Sequence, residues 1–382
     1  MRIVYCIVST FNSGGMERVL ANKANFLAKA GHDLFIVTTD QKGRKPFFKM
    51  NDRIAQHDLA INYTDNNHKG LVRKILSYPG KQRKHRKRLS ALLQELKADV
   101  VISMFEPEVS FLYKLKDGSK KVVEIHFSRY KRLQYAHTGL WGWADRFRSN
   151  QDWYIVQRYD QFVVLTKEDK LYWGNLANLQ VIPNANSFKP MGVAGLTARR
   201  VIAVGRYDYQ KGFDELIHIW KQVNKVHPDW SLDIFGQGPL KAELQTLIEN
   251  LGLQEVIRLC APVNDIEKEY LASAVLAMTS RYEGLPMALL EGQACGLPLV
   301  AYACKCGPAD IIKDAGNGFL LAEGDQQGMA GKLINLMDDA ILRQQMGKAS
   351  LTLSANYAED FIMQQWLTLF SQLTGKQLTS NV

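Results

Sequence analysis

Arg281-Tyr282-Glu283-Gly284-Leu285-Pro286-Met287-Ala288-Leu289-Leu290-Glu291-Gly292-Gln293-Ala294-Cys295-Gly296 is the stretch whose reading decides the rest. It follows Ala274-Val275-Leu276-Ala277-Met278-Thr279, apolar and short enough for a buried strand. Pro286 suits the first turn of a helix, where no backbone N–H is needed. Gly296, with Pro298 beyond it, ends that helix at about Cys295. Glu283 then falls in a strand-to-helix loop and Glu291 two turns into the helix. The N–H groups of Leu285 and Met287 stand free at the helix start, open to an anion or a sugar hydroxyl. A carboxylate beside such a place is a poor phosphate ligand but a good acceptor for vicinal hydroxyls. A place that gathers both kinds of oxygen points to a nucleotide sugar. Two glutamates eight apart are by themselves an ordinary loop charge and helix charge, so the remaining chain must decide.

Outward from this stretch, the second half alternates strands and helices. Strands are predicted at 200–205, 231–235, 256–260, 275–279 and 298–302. That alternation implies a parallel, doubly wound sheet with right-handed crossovers. After the first of these strands comes Gly205-Arg206-Tyr207-Asp208-Tyr209-Gln210-Lys211-Gly212. Two cations five apart at the carboxyl edge are placed to clamp a diphosphate, Arg206 in two-pronged fashion and Lys211 as a point charge. Gly236-Gln237-Gly238-Pro239 is a further loop at that edge, and Ala358–Leu373 patterns as one amphipathic helix.

The first half opens the same way. Arg2–Ser9 reads as a strand, Thr10-Phe11-Asn12-Ser13-Gly14-Gly15 as a loop, Met16–Ala30 as a helix and Asp33–Thr39 as the next strand. This is a nucleotide-binding start, with Gly14-Gly15 letting backbone approach a ligand at a helix N-terminus. A tight turn needs the same glycines, and no GxGxxG fingerprint is present. Residues 40–68 are polar and irregular. Lys69–Lys97 is helical in pattern and holds Lys81-Gln82-Arg83-Lys84-His85-Arg86-Lys87-Arg88, a run that is either a solvated face or an anionic-surface contact. Asp99–Ser103 and Lys120–Ile125 are further strands, the second delivering His126 at its carboxyl end, where ligands lie in open α/β sheets. Trp141, Trp143, Trp153 and Tyr154 in Leu140–Arg158 suit core packing or a wet acceptor face. Gln161–Leu165 and Leu179–Ile182 complete the strands, and Pro183-Asn184-Ala185-Asn186 closes the half.

The expected organisation is a first Rossmann-like domain over 1–186, a linker over 187–198, a second such domain over 199–355, and a helix over 356–382 crossing back to the first. A chain of 382 residues suits two cores better than one. Net charge is uneven: residues 1–190 hold 32 Lys and Arg against 17 Asp and Glu, net +15, and residues 191–382 hold 16 against 21, net −5. Such asymmetry points to an anionic partner for the first half. No run is long and apolar enough to span a bilayer, and Met1-Arg2-Ile3-Val4-Tyr5 enters a strand rather than a signal peptide. Five scattered cysteines, with Cys304-Lys305-Cys306 lacking a second pair, read as reduced thiols rather than a zinc site. A cytoplasmic location is expected.

Together these residues resemble the retaining glycosyltransferases of family 4, which have the GT-B fold of two facing Rossmann-like domains around a cleft. Ser13-Gly14-Gly15 resembles that family's first loop, and Glu283 with Glu291 its E-x7-E signature. Gly205-Arg206 and Lys211-Gly212 resemble its G-R…K-G pattern, Pro183-Asn184 its interdomain turn, and Gly236–Pro239 its G-x-G-P loop. Cys306-Gly307-Pro308-Ala309-Asp310-Ile311-Ile312 with Gly316-Asn317-Gly318-Phe319 narrows the likeness to amylovoran-type exopolysaccharide and capsular galactosyltransferases. Two positions depart: Ala261 stands where many members have glycine, and Asp310 where the branch has glutamate.

The resemblance implies metal-independent transfer of a hexosyl group, of galactose or glucose type, from a UDP sugar to a lipid-linked oligosaccharide in surface polysaccharide assembly. Catalysis would fall to His126, Arg206, Lys211 and Glu283. The donor would meet Gly14, Gly15, Arg206, Lys211, Gly236, Ala261, Pro262, Glu283, Gly284, Leu285, Pro286, Met287 and Glu291, with Glu291 on the ribose and Glu283 on the sugar. No metal, cofactor or nucleic acid is expected. Peripheral attachment to the inner face of a bacterial cytoplasmic membrane, through the Lys81–Arg88 region, is. The alternatives are the same fold acting on a soluble acceptor, a nucleotide-sugar epimerase on the same plan, and a binding-only relative without activity.

Overall fold

The computed structural model describes residues 1–66, 71–132, 139–263 and 265–376. Seven parallel strands form the first sheet: β1 (Arg2–Ile7), β2 (Asp33–Thr38), β3 (Ala55–Asp58), β4 (Val100–Ser103), β5 (Lys120–Glu124), β6 (Gln161–Val164) and β7 (Leu179–Val181). Six form the second: β8 (Arg200–Val204), β9 (Ser231–Phe235), β10 (Ile257–Cys260), β11 (Val275–Met278), β12 (Leu299–Tyr302) and β13 (Gly318–Leu321). The helices of the first half are α1 (Gly15–Lys29), α2 (Leu71–Leu96), α3 (Gly139–Val156) and α4 (Lys167–Trp173). Those of the second are α5 (Phe213–Val226), α6 (Lys241–Asn250), α7 (Ile266–Leu271), α8 (Met287–Ala294), α9 (Pro308–Ile311), α10 (Gln326–Asp338), α11 (Ala340–Ser354) and α12 (Glu359–Thr374).

Helices cover both faces of each sheet, so the central strands are buried on both sides and their sequences run almost unbroken in apolar residues. In β1 every residue from Ile3 to Ile7 is buried. Strand order is 3-2-1-4-5-6-7 in the first sheet and, counted from β8, 3-2-1-4-5-6 in the second. Both orders reverse direction beside their first strand, between β1 and β4 and between β8 and β11. Loops leaving neighbouring strands part at such a reversal and open a crevice at the carboxyl edge. The loop after β1 carries Gly14 and leads into α1 at Gly15; those after β8 and β11 carry Arg206–Lys211 and Glu283–Pro286, the latter leading into α8 at Met287.

Two strands fall where the sequence predicts none. β3 reads Ala-Gln-His-Asp with only alternating partial burial, since as an edge strand it has no second neighbour to bury it. β13 is four residues at the opposite edge of the second sheet. Pro286 is the N-cap of α8 (φ −72°, ψ 101°) rather than a residue of its first turn, and Gly296 past its end takes φ +80°.

The far end of the chain returns to the first sheet. Ile362, Met363, Trp366, Leu369 and Phe370 of α12 join one core with Ile3, Tyr5, Leu20, Ala24 and Leu27. The preceding turn is tied to residues 183–187, with Asn186 N–H donating to the Tyr357 carbonyl. Residues 191–196 lie on the second half, where Arg343, itself buried, donates to the carbonyls of Leu196, Leu336 and Met337.

Candidate functional site

The loops after β8 and β11 are stitched together before any ligand is considered. Thr279 Oγ1 donates to the Gly212 carbonyl at 2.8 Å, and Arg281 N–H to the Gln210 carbonyl at 2.8 Å. The Arg281 guanidinium grips Asp214 with both Nη atoms, at 3.1 and 2.7 Å. Gly212 opens α5 at φ +61°, and a Cβ there would sit 2.3 Å from the Thr279 carbonyl oxygen. A left-handed backbone in so close an approach admits only glycine.

This frame sets Lys211 Nζ 2.6 Å from Glu283 Oε1. The Lys211 stem runs over Gly205, whose missing Cβ would lie 3.1 Å from its Cγ and Cδ. Gln210 Nε2 donates to the Tyr282 carbonyl at 2.9 Å and lies 3.4 Å from Glu283 Oε2. Glu283 is buried, and its backbone exchanges hydrogen bonds with Lys305 and Cys306. Arg206, in contrast, is turned outward: its side chain is 71% exposed, with Asp208 3.7 Å away. The structure therefore joins Lys211 to Glu283 and leaves Arg206 outside the cluster.

One turn along α8, Glu291 is buried and accepts from the Tyr270 hydroxyl at 2.8 Å through Oε2, while Arg18 of α1 reaches its Oε1 at 3.4 Å. This ion pair crosses between the two halves. Between Glu283 and Glu291, Leu285 and Pro286 are buried, and Met287 is half-buried with its Sδ 3.7 Å from Asn184 Nδ2. Neither Leu285 nor Met287 N–H has a hydrogen-bond partner among the described residues, so both are open to a ligand.

The first half meets this loop at His126. A Cβ on Gly284 would sit 2.3 Å from the His126 carbonyl oxygen and 3.0 Å from Phe127 Cα, so the β11–α8 and β5 loops touch across the cleft. Gly14 is the N-cap of α1, and Glu17 folds back over it, its Oε2 2.2 Å from where a Gly14 Cβ would stand. Burial lifts the Glu17 carboxyl above its usual range, against the pull of Asn12 and His126. Gly236 passes the Gly205 carbonyl as closely and is tied to the end of β10 through the Cys260 carbonyl. Ala261 and Pro262, next along, are exposed. Asp310 accepts from Lys167 N–H at 2.9 Å and so supports the first turn of α4, whose N-cap is Thr166, from the opposite half.

The aromatic segment is divided. The side chains of Trp141 and Trp143 lie outside the described residues; Trp153 donates to the Trp173 carbonyl, and Tyr154 is exposed. The basic run is not a free polycation either. Lys81, Lys84 and Arg88 donate to the carbonyls of Asn62, Ala60 and Leu59, and His85 is buried against Tyr63. Arg83, Arg86 and Lys87 remain exposed.

Sequence reasoning missed Glu17, Arg18, Tyr270 and Glu124. Two had a signal: Glu17 is at the third helical position, where acids cap, and Glu124 is two before His126, on the same face of its strand. Arg18 and Tyr270 had none, because both act on Glu291 from distant segments.

Two family models match the chain: Glycosyltransferase Family 4 over residues 13–187 and Glycosyl transferases group 1 over residues 192–352. The chain is a GT-B glycosyltransferase of the group 1/family 4 type. Among its relatives is an amylovoran biosynthesis glycosyltransferase of Erwinia amylovora, 38% identical over 54% of this chain and 61% of that one. A GalNAc-α-(1→4)-GalNAc-α-(1→3)-diNAcBac-PP-undecaprenol α-1,4-N-acetyl-D-galactosaminyltransferase of Campylobacter jejuni is 25% identical over 96% of this chain and 98% of its own. In fold this glycosyltransferase is similar to a TarM variant from Staphylococcus aureus crystallised with UDP, with TM-score 0.76, 18% identity, and coverage of 97% and 99% of the two chains.

Proposed function

We propose that this glycosyltransferase is a retaining, metal-independent enzyme that moves a hexosyl group of galactose or glucose type from a UDP sugar to a lipid-linked oligosaccharide in surface polysaccharide assembly. The observation that carries the reading is the Lys211–Glu283 pair, held 2.6 Å apart where the loops of both halves touch beside His126. Lys211, with Arg206 swinging in from solvent, neutralises charge that develops on the departing diphosphate, the role of a preorganised cation. Glu283 accepts hydroxyls of the donor sugar and Glu291 those of the ribose; Tyr270 holds Glu291 Oε2, and the ribose shares Oε1 with Arg18, 3.4 Å away. The open N–H groups of Leu285 and Met287 meet phosphate or sugar oxygens. His126 lies beside the sugar ring, and the departing phosphate takes the acceptor's proton on the same face. UDP in the similar TarM structure and an undecaprenyl-linked substrate in the Campylobacter relative's name support donor and acceptor class.

The exposed Arg83, Arg86 and Lys87 supply the contact with an anionic membrane face. Among the described residues no helix is long and apolar enough to cross a membrane, which is compatible with peripheral attachment. The cations already spent on loop carbonyls favour a second reading of the same fold, with a soluble acceptor and a basic run that serves α2 alone.

Calorimetry with UDP and a panel of UDP sugars, in EDTA, tests the donor site. Glu291→Ala weakens UDP itself, whereas Glu283→Ala spares UDP and loses the added affinity of the sugar. Equal losses for both ligands in both variants, or a strict need for Mg²⁺ or Mn²⁺ in transfer, defeats the assignment.

A further inference from the structure

Behind His126 lies a buried chain of charge that the proposed reaction does not yet use. Lys23 of α1 and Glu124 of β5 form an ion pair with side chains 4% and 0% exposed. The Lys23 ammonium also stands 3.9 Å from the ring centre of Trp366 on α12, a cation–π contact that braces it from the far end of the chain. The same Glu124 oxygen, Oε1, is 3.1 Å from His126 Nε2. That contact is not aimed along the ring N–H: His126 Nε2 and Glu124 Oε2 both lie buried without a hydrogen-bond partner.

A buried ion pair is an expensive way to hold a helix to a strand, since two apolar side chains of similar volume do so at no loss of stability. Buried polar atoms left unpaired likewise call for a reason, and a catalytic role is one. Both features occur together here, directly beneath the histidine whose backbone touches the Gly284 loop. Burial raises the Glu124 carboxyl, but Lys23 and His126 outweigh it and hold the group down at about 2, so it is a permanent anion. Among the described residues Glu17 of α1 also interacts with His126.

We propose that Glu124 is the positioning residue for His126: it takes the Nε2 side of the imidazole, presents Nδ1 to the donor, and is itself held in place by Lys23 braced on Trp366. An anion 3.1 Å from Nε2 favours the tautomer protonated there and biases the ring without touching the substrate. The proposal rests on the reading of His126 as a donor-facing group. It gives α12 a part in the site, because Trp366 supports the cation that supports the carboxylate.

The test reads the His126 tautomer from its ring ¹⁵N shifts in four proteins: wild type, Glu124→Gln, Lys23→Met and the double variant. With Glu124 in place the neutral ring carries its proton on Nε2. Glu124→Gln and the double variant shift the population towards Nδ1–H, whereas a packing role leaves the tautomer as in wild type, and that result overturns the proposal. Lys23→Met alone leaves a buried anion and risks the fold; the double variant removes both charges and keeps it. In kinetics, His126→Ala costs roughly 10²–10³ in kcat, and Glu124→Gln about tenfold or more with the donor KM within about twofold. In a His126→Ala background Glu124→Gln has no further effect; multiplying effects there would show that Glu124 acts independently and end the argument. Should His126→Ala leave kcat unchanged, the donor-facing reading fails separately, while the tautomer still decides the Glu124 contact.

Discussion

Arg206 and Lys211 are given the same task on the diphosphate, yet the structure predicts that their loss differs sharply in stability. Lys211 is 21% exposed and bonded to a Glu283 side chain 7% exposed. Breaking a fully buried pair costs about 3–5 kcal/mol; with Lys211 partly wet and Gln210 near the other Glu283 oxygen, we expect about 2 kcal/mol for Lys211→Ala. For a domain of about 150–250 residues that lowers Tm by roughly 4–8 °C. Arg206, 71% exposed and 3.7 Å from Asp208, is a surface charge worth about 0–1 kcal/mol, so Arg206→Ala leaves Tm in place. In kcat/KM for transfer both variants lose about 10²–10³, or about 3–4 kcal/mol of barrier. Lys211→Ala/Glu283→Gln removes the stranded carboxylate and recovers most of the stability, but none of the activity. Thermal melts and initial rates on the four proteins check each value. An unmelted Lys211→Ala protein, or an Arg206→Ala protein with unchanged kcat/KM, refutes the reasoning.

Two further outcomes are expected. Burial holds the His85 imidazole down at about 4, so the folded protein keeps it neutral while the unfolded chain protonates near 6.5; stability present above 6.5 is lost as pH falls from 6.5 to 4, by about 3 kcal/mol in all. His85→Phe removes that acid limb, and parallel stability curves for variant and wild type between pH 4 and 6.5 would contradict it. Replacing Arg83, Arg86 and Lys87 by glutamine abolishes flotation with anionic vesicles at unchanged Tm, and moderate salt does the same to wild type. Lys84→Gln with Arg88→Gln instead lowers Tm, because these two satisfy the carbonyls of Leu59 and Ala60; if wild type never floats, the membrane contact is wrong.

Much of this architecture is determined by local chemistry. Apolar runs of strand length alternating with helical patterns commit the chain to two parallel, doubly wound sheets, because strands buried on both faces tolerate nothing else. The motif residues were legible for a related reason. Gly212 and Gly236 sit where a Cβ would strike a carbonyl oxygen, so their identity is forced by the backbone itself. Edge strand β3 was invisible because an edge has no second neighbour to demand apolar residues. Only the tertiary structure decided the partners of charge. Lys211, not Arg206, meets Glu283; Arg18 crosses the cleft to Glu291; Lys81, Lys84 and Arg88 reach the carbonyls of a neighbouring loop. Glu124, Lys23 and Trp366 come from a strand, a helix and the far end of the chain, and converge beneath His126. A charged side chain reads the same in sequence whether it is solvated or paired, and long-range packing alone sets which oxygen it finds.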